Sequence, residues 1–428
     1  MMSPEWTLWS VLFVCLLLGC PIFASLGVAS VSSLLVSDIP MRIVALDMLK
    51  VMDMFPLLAI IGFILAGALM EAGGMARQIV DVASSLVGNI RGGLGMVTIL
   101  GCLFFASMIG SGPGTVAAMG SIMIPTMIRR GYSPEYAAGV AATGGTLGIL
   151  IPPSNPMIIY GIVANVSVSA LFTAGFVPGF LIGLALMGSA WLLARFAGFA
   201  SNAGAGRECL GRLLRRNFFS LLAPVIILGS IYAGICTPVE ASVVAVAYAL
   251  LVGCCVTRKL TPRKLWGALR LTNISAGTII IVVGISTLFG RILTMHQIPQ
   301  QLALSMQQFT TSPLMILLLI GLLLLFLGMF METLATIVIL APIFLPLVKS
   351  VGIDPVFFGI FWVVTNEVAL LSPPLGVNLF IARNLSGISF ERVAKGALPF
   401  MLVIICCACF LCLFPEVVLF LPRMFGLY

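Results

Sequence analysis

The chain has 428 residues, of which 61% are hydrophobic and only 8% charged, with a formal net charge of +8. A soluble domain carries about 25% charged residues, so this composition excludes an ordinary soluble protein. The basic excess collects near residues 206–217 and 257–270, as in cytoplasmic loops between membrane segments, and does not indicate nucleic-acid binding. Since bilayer spans need about 17–25 apolar residues, we predict an all-α polytopic protein of the lipid bilayer, with ten to twelve membrane segments and shorter re-entrant pieces.

In chain order, residues 1–45 form one or more N-terminal membrane segments, whose orientation is left open because charge asymmetry is weak. Two longer blocks follow, 46–197 and 268–428. Residues 198–267 separate them as a helix pair between two basic cytoplasmic loops. A shift of 221 residues superimposes prolines of the two blocks without a gap: Pro125 on Pro346, Pro134 on Pro355, Pro152 and Pro153 on Pro373 and Pro374, and Pro178 on Pro399.

Each block contains two irregular elements. The first block has a Gly-rich turn between short apolar legs, about 93–128, and then an apolar helix, about 135–163, that Pro152-Pro153 interrupts. The second block repeats this order at about 312–347 and 355–382. Loop charges place the blocks in opposite orientations, so we predict two inverted repeats, each with a re-entrant helical hairpin and a Pro-Pro-broken helix. An ordinary pair of crossings is the alternative for the hairpin. Inverted repeats with broken helices recur in secondary transporters.

The broken helices indicate ligand binding, because unpaired backbone groups in hydrocarbon cost several kcal/mol each unless something satisfies them. Carbonyl ends favour a cation and N–H ends favour an anion, which suggests two cation sites around one anionic substrate. Na⁺ suits oxygen ligands of this kind. An interhelical hydrogen bond is the alternative role of each polar side chain. Candidate side-chain ligands are Ser111, Ser154, Asn155, Thr333, Ser372 and Asn378. Of these, we predict that four bind the substrate: Ser154, Asn155, Thr333 and Asn378.

Ionisable residues inside the membrane are functional candidates. Glu332 lies at the second hairpin tip and Glu367 near the second break, so either could carry a proton or bind a cation. Glu240 follows Thr237-Pro238 and is interpreted as a helix cap. Arg291 is expected to extend outward to the membrane surface from the end of its helix.

Other functional classes are less consistent with the sequence. The chain has a single histidine, no HExxH motif and no evident Ser–His or paired-Asp constellation, so we expect no enzymatic activity. A passive channel remains an alternative, which accumulation against a gradient would distinguish from a carrier.

Four stretches carry a family resemblance: FPLLAIIGFILAGALMEAGG (55–74), GGTLGILIPPSNPMIIYG (144–161), GICTPVEASVVAV (234–246) and GIDPVFFGIFWVVTNEVALLSPPLGVNLF (352–380). With these motifs in this order, the chain resembles the large membrane subunit of TRAP (tripartite ATP-independent periplasmic) transporters over nearly its whole length. The resemblance implies a secondary active transporter subunit of the bacterial cytoplasmic (inner) membrane that imports an organic acid, a carboxylate, by Na⁺ symport. It implies an elevator mechanism, with a scaffold and a mobile transport domain, and no cofactor beyond Na⁺ as coupling ion. The implied partners are a small four-helix membrane subunit and a periplasmic substrate-binding protein.

The resemblance also implies residues for two Na⁺ sites, which depart from the family pattern in places. The tip Ile109-Gly110-Ser111 stands where the family commonly has Ser-Gly-Ser, and Ala369 stands where it commonly has Gly. Occupancy of the first site, the number of coupled Na⁺ ions and proton coupling through Glu367 are therefore left open, as is the identity of the acid. The alternative is a stand-alone sodium- or proton-coupled dicarboxylate carrier of the same superfamily. The first site comprises Ile109, Ser111, Gly148, Ile151 and Pro153, and the second comprises Gly328, Ala369, Ser372 and Leu375.

Overall fold

A computed structural model of the chain describes residues 3–87, 90, 92–199, 210–298, 301, 310, 312–329, 331–373 and 376–427. These residues form helices joined by short turns, and they include no β-strand, which confirms the predicted all-α class. The first half contains α1 Pro4–Leu17, α2 Ile22–Val36, α3 Arg42–Met52, α4 Pro56–Ala72, α5 Met75–Val87, α6 Gly93–Ile109, α7 Gly112–Arg129, α8 Pro134–Leu150, α9 Asn155–Ala164 and α10 Val168–Phe196. The rest contains α11 Leu210–Arg216, α12 Phe218–Tyr232, α13 Pro238–Leu251 with a π-helical turn Val252–Val256, α14 Pro262–Met295, α15 Pro313–Gly328, α16 Thr333–Ser350, α17 Pro355–Ala369, α18 Val377–Ser386, α19 Phe390–Leu413 and α20 Pro415–Met424.

Few helices are long enough to span a membrane by themselves. Within the described residues six helices are long and apolar enough to cross a bilayer, or up to eight if each of two sharply bent helix pairs forms one span. The difference from the expected ten to twelve segments arises because several apolar helices have only 10–17 residues. At 1.5 Å per residue, most of these are too short to cross a hydrocarbon core of about 30 Å.

Helix boundaries in the two blocks follow the 221-residue shift. α7 and α16 correspond residue for residue, from Gly112–Arg129 to Thr333–Ser350, and the starts of α8 and α17 correspond in the same way. Prolines and glycines set these boundaries, because proline favours the first helical turn and glycine adopts the left-handed conformation that ends many helices. The opposite orientation of the blocks and the re-entrant course of the hairpins stay predictions, since the helices alone do not define a membrane.

The two blocks interlock at their centre. The second part of the first broken helix, α9, packs against α16 of the second hairpin, and α18 packs against α7 and α8 of the first block. The Tyr160 hydroxyl of α9 donates a hydrogen bond of 2.7 Å to the Pro355 carbonyl oxygen. Across the other contact, Asn378 Nδ2 donates to the Ala142 carbonyl oxygen at 3.3 Å. Each block therefore supplies part of the other block's core.

Arg291 forms an ion pair that was not predicted from the sequence, and its extension to the membrane surface stays a prediction. Its Nη2 lies 2.9 Å from Oδ1 of Asp47, which is buried on α3, although the arginine side chain remains 40% exposed. The ion pair forms because α3 packs against α14, and a buried carboxylate is stable only with a partner. The predicted cap at Glu240 is confirmed, since its carboxylate accepts a hydrogen bond of 2.8 Å from the Thr237 N–H.

Candidate functional site

The first helix interruption is buried and contacts the tip of the first hairpin. Residues 151–154 separate α8 from α9, and all four are buried. Ser154 caps α9, because its hydroxyl oxygen accepts a hydrogen bond from the Met157 N–H. The Asn155 N–H donates a bond of 3.1 Å to the carbonyl oxygen of Gly110, the first of the two residues between the hairpin helices α6 and α7. The hairpin tip thus satisfies a donor that the broken helix leaves free.

Gly110 has no room for a side chain where the hairpin tip contacts the helix interruption. Its φ is +66°, a conformation in which side chains other than glycine are strained. A methyl group added there would overlap the Pro153 carbonyl oxygen, and one added at Gly148 would lie 2.5 Å from the Ser111 carbonyl oxygen. Three residues of the first predicted Na⁺ site, Ser111, Gly148 and Pro153, therefore meet around Gly110.

The other two residues of the first predicted site have packing contacts. A methyl group at Gly67 of α4 would lie 2.9 Å from Ile109 Cγ1, and one at Gly179 of α10 would overlap Ile151 Cδ1. Their side chains anchor the hairpin tip and the interruption to neighbouring helices, and only their backbone oxygens remain as ligands. The ion-binding role of this group stays a prediction.

The second interruption contacts the second hairpin in a similar way. Gly328, the last residue of α15, is so close to α17 that an added methyl group would lie 2.6 Å from Ala369 Cβ. The Ser372 hydroxyl donates to the Val368 carbonyl oxygen at 2.8 Å and lies 3.5 Å from Met401 Sδ of α19. The hydroxyl proton of Ser372 is therefore donated to a carbonyl four residues earlier in the chain. Leu375, the remaining residue predicted for this site, lies outside the described residues.

Asn366 is a site residue that the sequence analysis missed. It lies one turn before Ala369, and its Oδ1 would be 3.0 Å from a methyl group at Gly328. Asn366 Nδ2 donates to the Trp362 carbonyl oxygen at 3.1 Å, and Oδ1 lies 3.5 Å from Thr336 Oγ1 of α16. An asparagine between Thr365 and Glu367, after a long apolar stretch of the same helix, was the available signal, but the sequence does not show which neighbour it faces.

Three of the four residues assigned to the substrate have unsatisfied polar atoms. Asn155 Oδ1, Thr333 Oγ1 and Asn378 Oδ1 are buried without a hydrogen-bond partner. Leaving such atoms unpaired costs about 1–3 kcal/mol each, which a bound ligand would offset. The exception is Ser154, whose hydroxyl donates to the Ile149 carbonyl oxygen. Because α9 packs against α16 and α18 against α7 and α8, the three free groups lie in the same interlocked centre.

The two intramembrane acids have different surroundings. Glu332 precedes α16 and lines a cavity of about 270 Å³ between α16, α9 and α14. Glu367 is fully buried, neither carboxyl oxygen has a hydrogen-bond partner, and Cys407 of α19 is an electrostatic neighbour. Within the described part of the chain, no three His, Cys, Asp or Glu side chains are placed to bind a metal together.

A buried interruption at residues 151–154 and a second interruption after Ala369, at which Ser372 is buried and Pro373 exposed, each contact a hairpin tip, and together they define a multi-pass membrane protein with a secondary-transporter fold. The family model for the DctM component of tripartite ATP-independent periplasmic transporters matches residues 9–417. The chain belongs to this family, which confirms the resemblance found in the sequence.

Individual relatives agree with this assignment. The chain is 40% identical over 386 residues to the isethionate TRAP transporter permease protein DctMQ of Oleidesulfovibrio alaskensis, covering 90% of the chain and 61% of that relative. It thus spans less than two thirds of that protein's length. It is also 40% identical over 409 residues to the C4-dicarboxylate TRAP transporter large permease protein DctM of Pseudomonas aeruginosa, covering 94% of the chain and 95% of the relative. Both are named as transport proteins and not as enzymes.

A solved structure supports the fold alone. The YdaH transporter of Alcanivorax borkumensis superimposes with a TM-score of 0.68, covering 96% of this chain and 98% of that one, at 16% sequence identity. At this identity the likeness extends to the helical architecture and carries no information on substrate.

Proposed function

We propose that the chain is the carrier subunit of a Na⁺-coupled importer of organic acids in the bacterial cytoplasmic (inner) membrane. The observation that carries the proposal is the pair of contacts between hairpin tips and helix interruptions, Gly110 with Asn155 and Gly328 with Ala369. Helix ends at these contacts present free carbonyl and N–H groups, which suit a cation and an anion at adjacent positions.

The substrate class follows from the free polar atoms and from the relatives. Helix N-termini and the Thr333 hydroxyl, which has no partner, can donate hydrogen bonds to a small organic acid, preferably a carboxylate, whereas the free Oδ1 atoms of Asn155 and Asn378 are acceptors that suit a hydroxyl group or a cation. The two relatives name isethionate and a C4-dicarboxylate, so family membership does not select one acid. We propose that a periplasmic binding protein delivers the acid and that a small membrane subunit, expected to have four helices, completes the transporter.

The interlocked core supports an elevator movement. The hairpin and broken helices of both blocks pack on one another, so α6–α9 and α15–α18 can move as one body. In our proposal this body slides against α2, α3, α4 and α14, carrying acid and Na⁺ together. Transport of the acid is coupled to transport of Na⁺ if neither the acid site nor the Na⁺ site is stable in hydrocarbon without its ligand.

Uptake into proteoliposomes tests this function. The large and small subunits are reconstituted together, and the cognate binding protein is loaded with an acid that raises its melting temperature, with succinate and isethionate as first probes. An inward Na⁺ gradient should drive accumulation at least tenfold faster than an equal K⁺ gradient, because K⁺ is too large for tight oxygen sites built for Na⁺. Equal rates in both salts would refute Na⁺ coupling.

Two further arms separate the alternatives. Uptake that continues undiminished without the binding protein would favour the stand-alone carrier. Failure to accumulate acid above the outside concentration would favour a channel.

Gly148→Ala should abolish uptake because its methyl group would lie 2.5 Å from the Ser111 carbonyl oxygen. Gly188→Ala in α10 adds a methyl group with no atom within 4 Å and serves as the control.

A further inference from the structure

Asn366 occupies an unusual position at the second hairpin. Its side chain is 1% exposed, and it lies on the face of α17 that meets the end of α15. A methyl group at Gly328 would be 3.0 Å from its Oδ1. An amide oxygen thus points directly at the last residue of a helix inside the membrane.

Neighbouring hydrogen bonds fix the direction of this amide. Asn366 Nδ2 donates to the Trp362 carbonyl oxygen at 3.1 Å, so the oxygen faces the hairpin. Its nearest donor is the Thr336 hydroxyl, at 3.5 Å. That hydroxyl has one proton, which goes to the Thr333 carbonyl oxygen at 2.9 Å, and its own oxygen accepts the Trp362 Nε1–H at 3.4 Å. Because 3.5 Å is too long for an effective bond, Asn366 Oδ1 is left with an unused lone pair.

The surroundings of this lone pair suit a cation. At the end of α15 the Met329 and Met331 N–H groups donate to the carbonyl oxygens of Leu325 and Leu327, and this end of a helix favours positive charge. The available oxygens are neutral, whereas Ca²⁺ and Mg²⁺ sites rely on carboxylates. The adjacent Glu367 is an electrostatic neighbour of Cys407 on α19. A monovalent hard cation therefore fits this position best.

We propose that Oδ1 of Asn366 is a ligand of the Na⁺ ion bound between the second hairpin tip and the second helix interruption, an inference that rests on the proposed function. The assignment explains how this chain can bind an ion although Ala369 stands in place of a more flexible glycine. The fixed amide supplies the oxygen, and Thr336 and Trp362 hold it in place.

The test is a Na⁺ titration of the purified complex of large and small subunits. The thermal unfolding temperature is followed against NaCl at constant ionic strength, with choline chloride as replacement. Asn366→Ala should raise the Na⁺ concentration at half-effect at least about tenfold, as loss of a metal-site group typically does. Asn366→Asp keeps an oxygen at the same place and adds charge, so its half-effect concentration should lie at or below the wild-type value.

The aspartate variant separates ligation from structure. Both variants lose the hydrogen bond to the Trp362 carbonyl, and only the aspartate keeps the oxygen. A half-effect concentration above wild type in Asn366→Asp, or an unchanged one in Asn366→Ala, would overturn the inference. If the alanine variant does not fold, the aspartate result alone decides. Asn217→Ala, which removes another buried asparagine at the start of α12, should leave the Na⁺ response unchanged.

The same experiment distinguishes this inference from the proposed function. A wild-type complex that shows no response to Na⁺ would contradict Na⁺ coupling itself. A normal wild-type response that Asn366→Ala shares would contradict only the role of Asn366.

Discussion

At the scale of single residues, the two interruptions are held by very short contacts that tolerate no added atoms. Gly110 combines a left-handed backbone with a neighbour, the Pro153 carbonyl, that occupies the space of a side chain. Gly131, in the turn between α7 and α8, has a similar φ of +84° and nothing within 4 Å of an added methyl group. The two glycines therefore allow conformational strain to be separated from steric overlap.

We predict that Gly110→Ala abolishes uptake and lowers stability more than Gly131→Ala does. The left-handed conformation should cost each variant about 1–2 kcal/mol, and only Gly110→Ala must also move the hairpin tip away from Pro153. Unfolding in mixed micelles and uptake by proteoliposomes provide the two measurements. Equal stability and equal uptake in the two variants would mean that the tip contact is dispensable.

At the scale of helices, the Asp47–Arg291 ion pair joins α3 to α14 in the part of the molecule proposed as scaffold. Removing one partner of a buried pair leaves an uncompensated charge, whereas replacing both can be nearly neutral. Because Arg291 is 40% exposed, water reduces the effect below the range for fully buried pairs.

We predict that Arg291→Met lowers the free energy of unfolding by about 1–3 kcal/mol. The double variant Asp47→Asn, Arg291→Met should recover to within about 1 kcal/mol of the wild type. Arg270→Met, in an exposed part of the same helix, serves as the control. A double variant as unstable as the sum of its single changes would show that the two residues act independently.

The positions at which helices begin and end were predictable from the sequence, but the contacts between helices were not. Prolines at 134, 152, 153 and 355 act on their own backbone, so the breaks and starts of α8 and α17 appeared in the sequence. The pairing of Asp47 with Arg291, the direction of Asn366 and the contact of α9 with α16 depend on residues far apart in the chain. Single polar residues in apolar helices do not reveal which helix they face, because their own position carries no information about distant segments.

At the scale of the whole molecule, a cavity of about 270 Å³ separates helices proposed to move from helices proposed to stay fixed. Leu334 of α16 and Ile159 of α9 line one side, and Thr278 and Val283 of α14 line the other. An elevator movement requires relative displacement across this cavity. The movement can therefore be stopped by a link between lining residues that are not themselves assigned as ligands, such as Leu334 and Thr278.

We predict that joining Leu334→Cys to Thr278→Cys with a reducible bis-thiosulfonate reagent stops uptake in a background free of reactive native cysteines. Reduction should restore it, because the link opposes displacement and leaves the site intact. Thr278→Cys with Val282→Cys, one turn apart on α14, gives a control link within one helix. Full uptake with the α14–α16 link in place would contradict relative motion between these helices.

The interlocking of the two blocks has a consequence for biosynthesis. The hydrogen bond from Tyr160 to Pro355 joins residues 195 positions apart. A ribosome adding about 5–20 residues per second needs about 10–40 s to cover that distance. During this interval α9 lacks its partner from the second block, so the insertion machinery or a chaperone must shelter the Tyr160 hydroxyl until translation reaches Pro355.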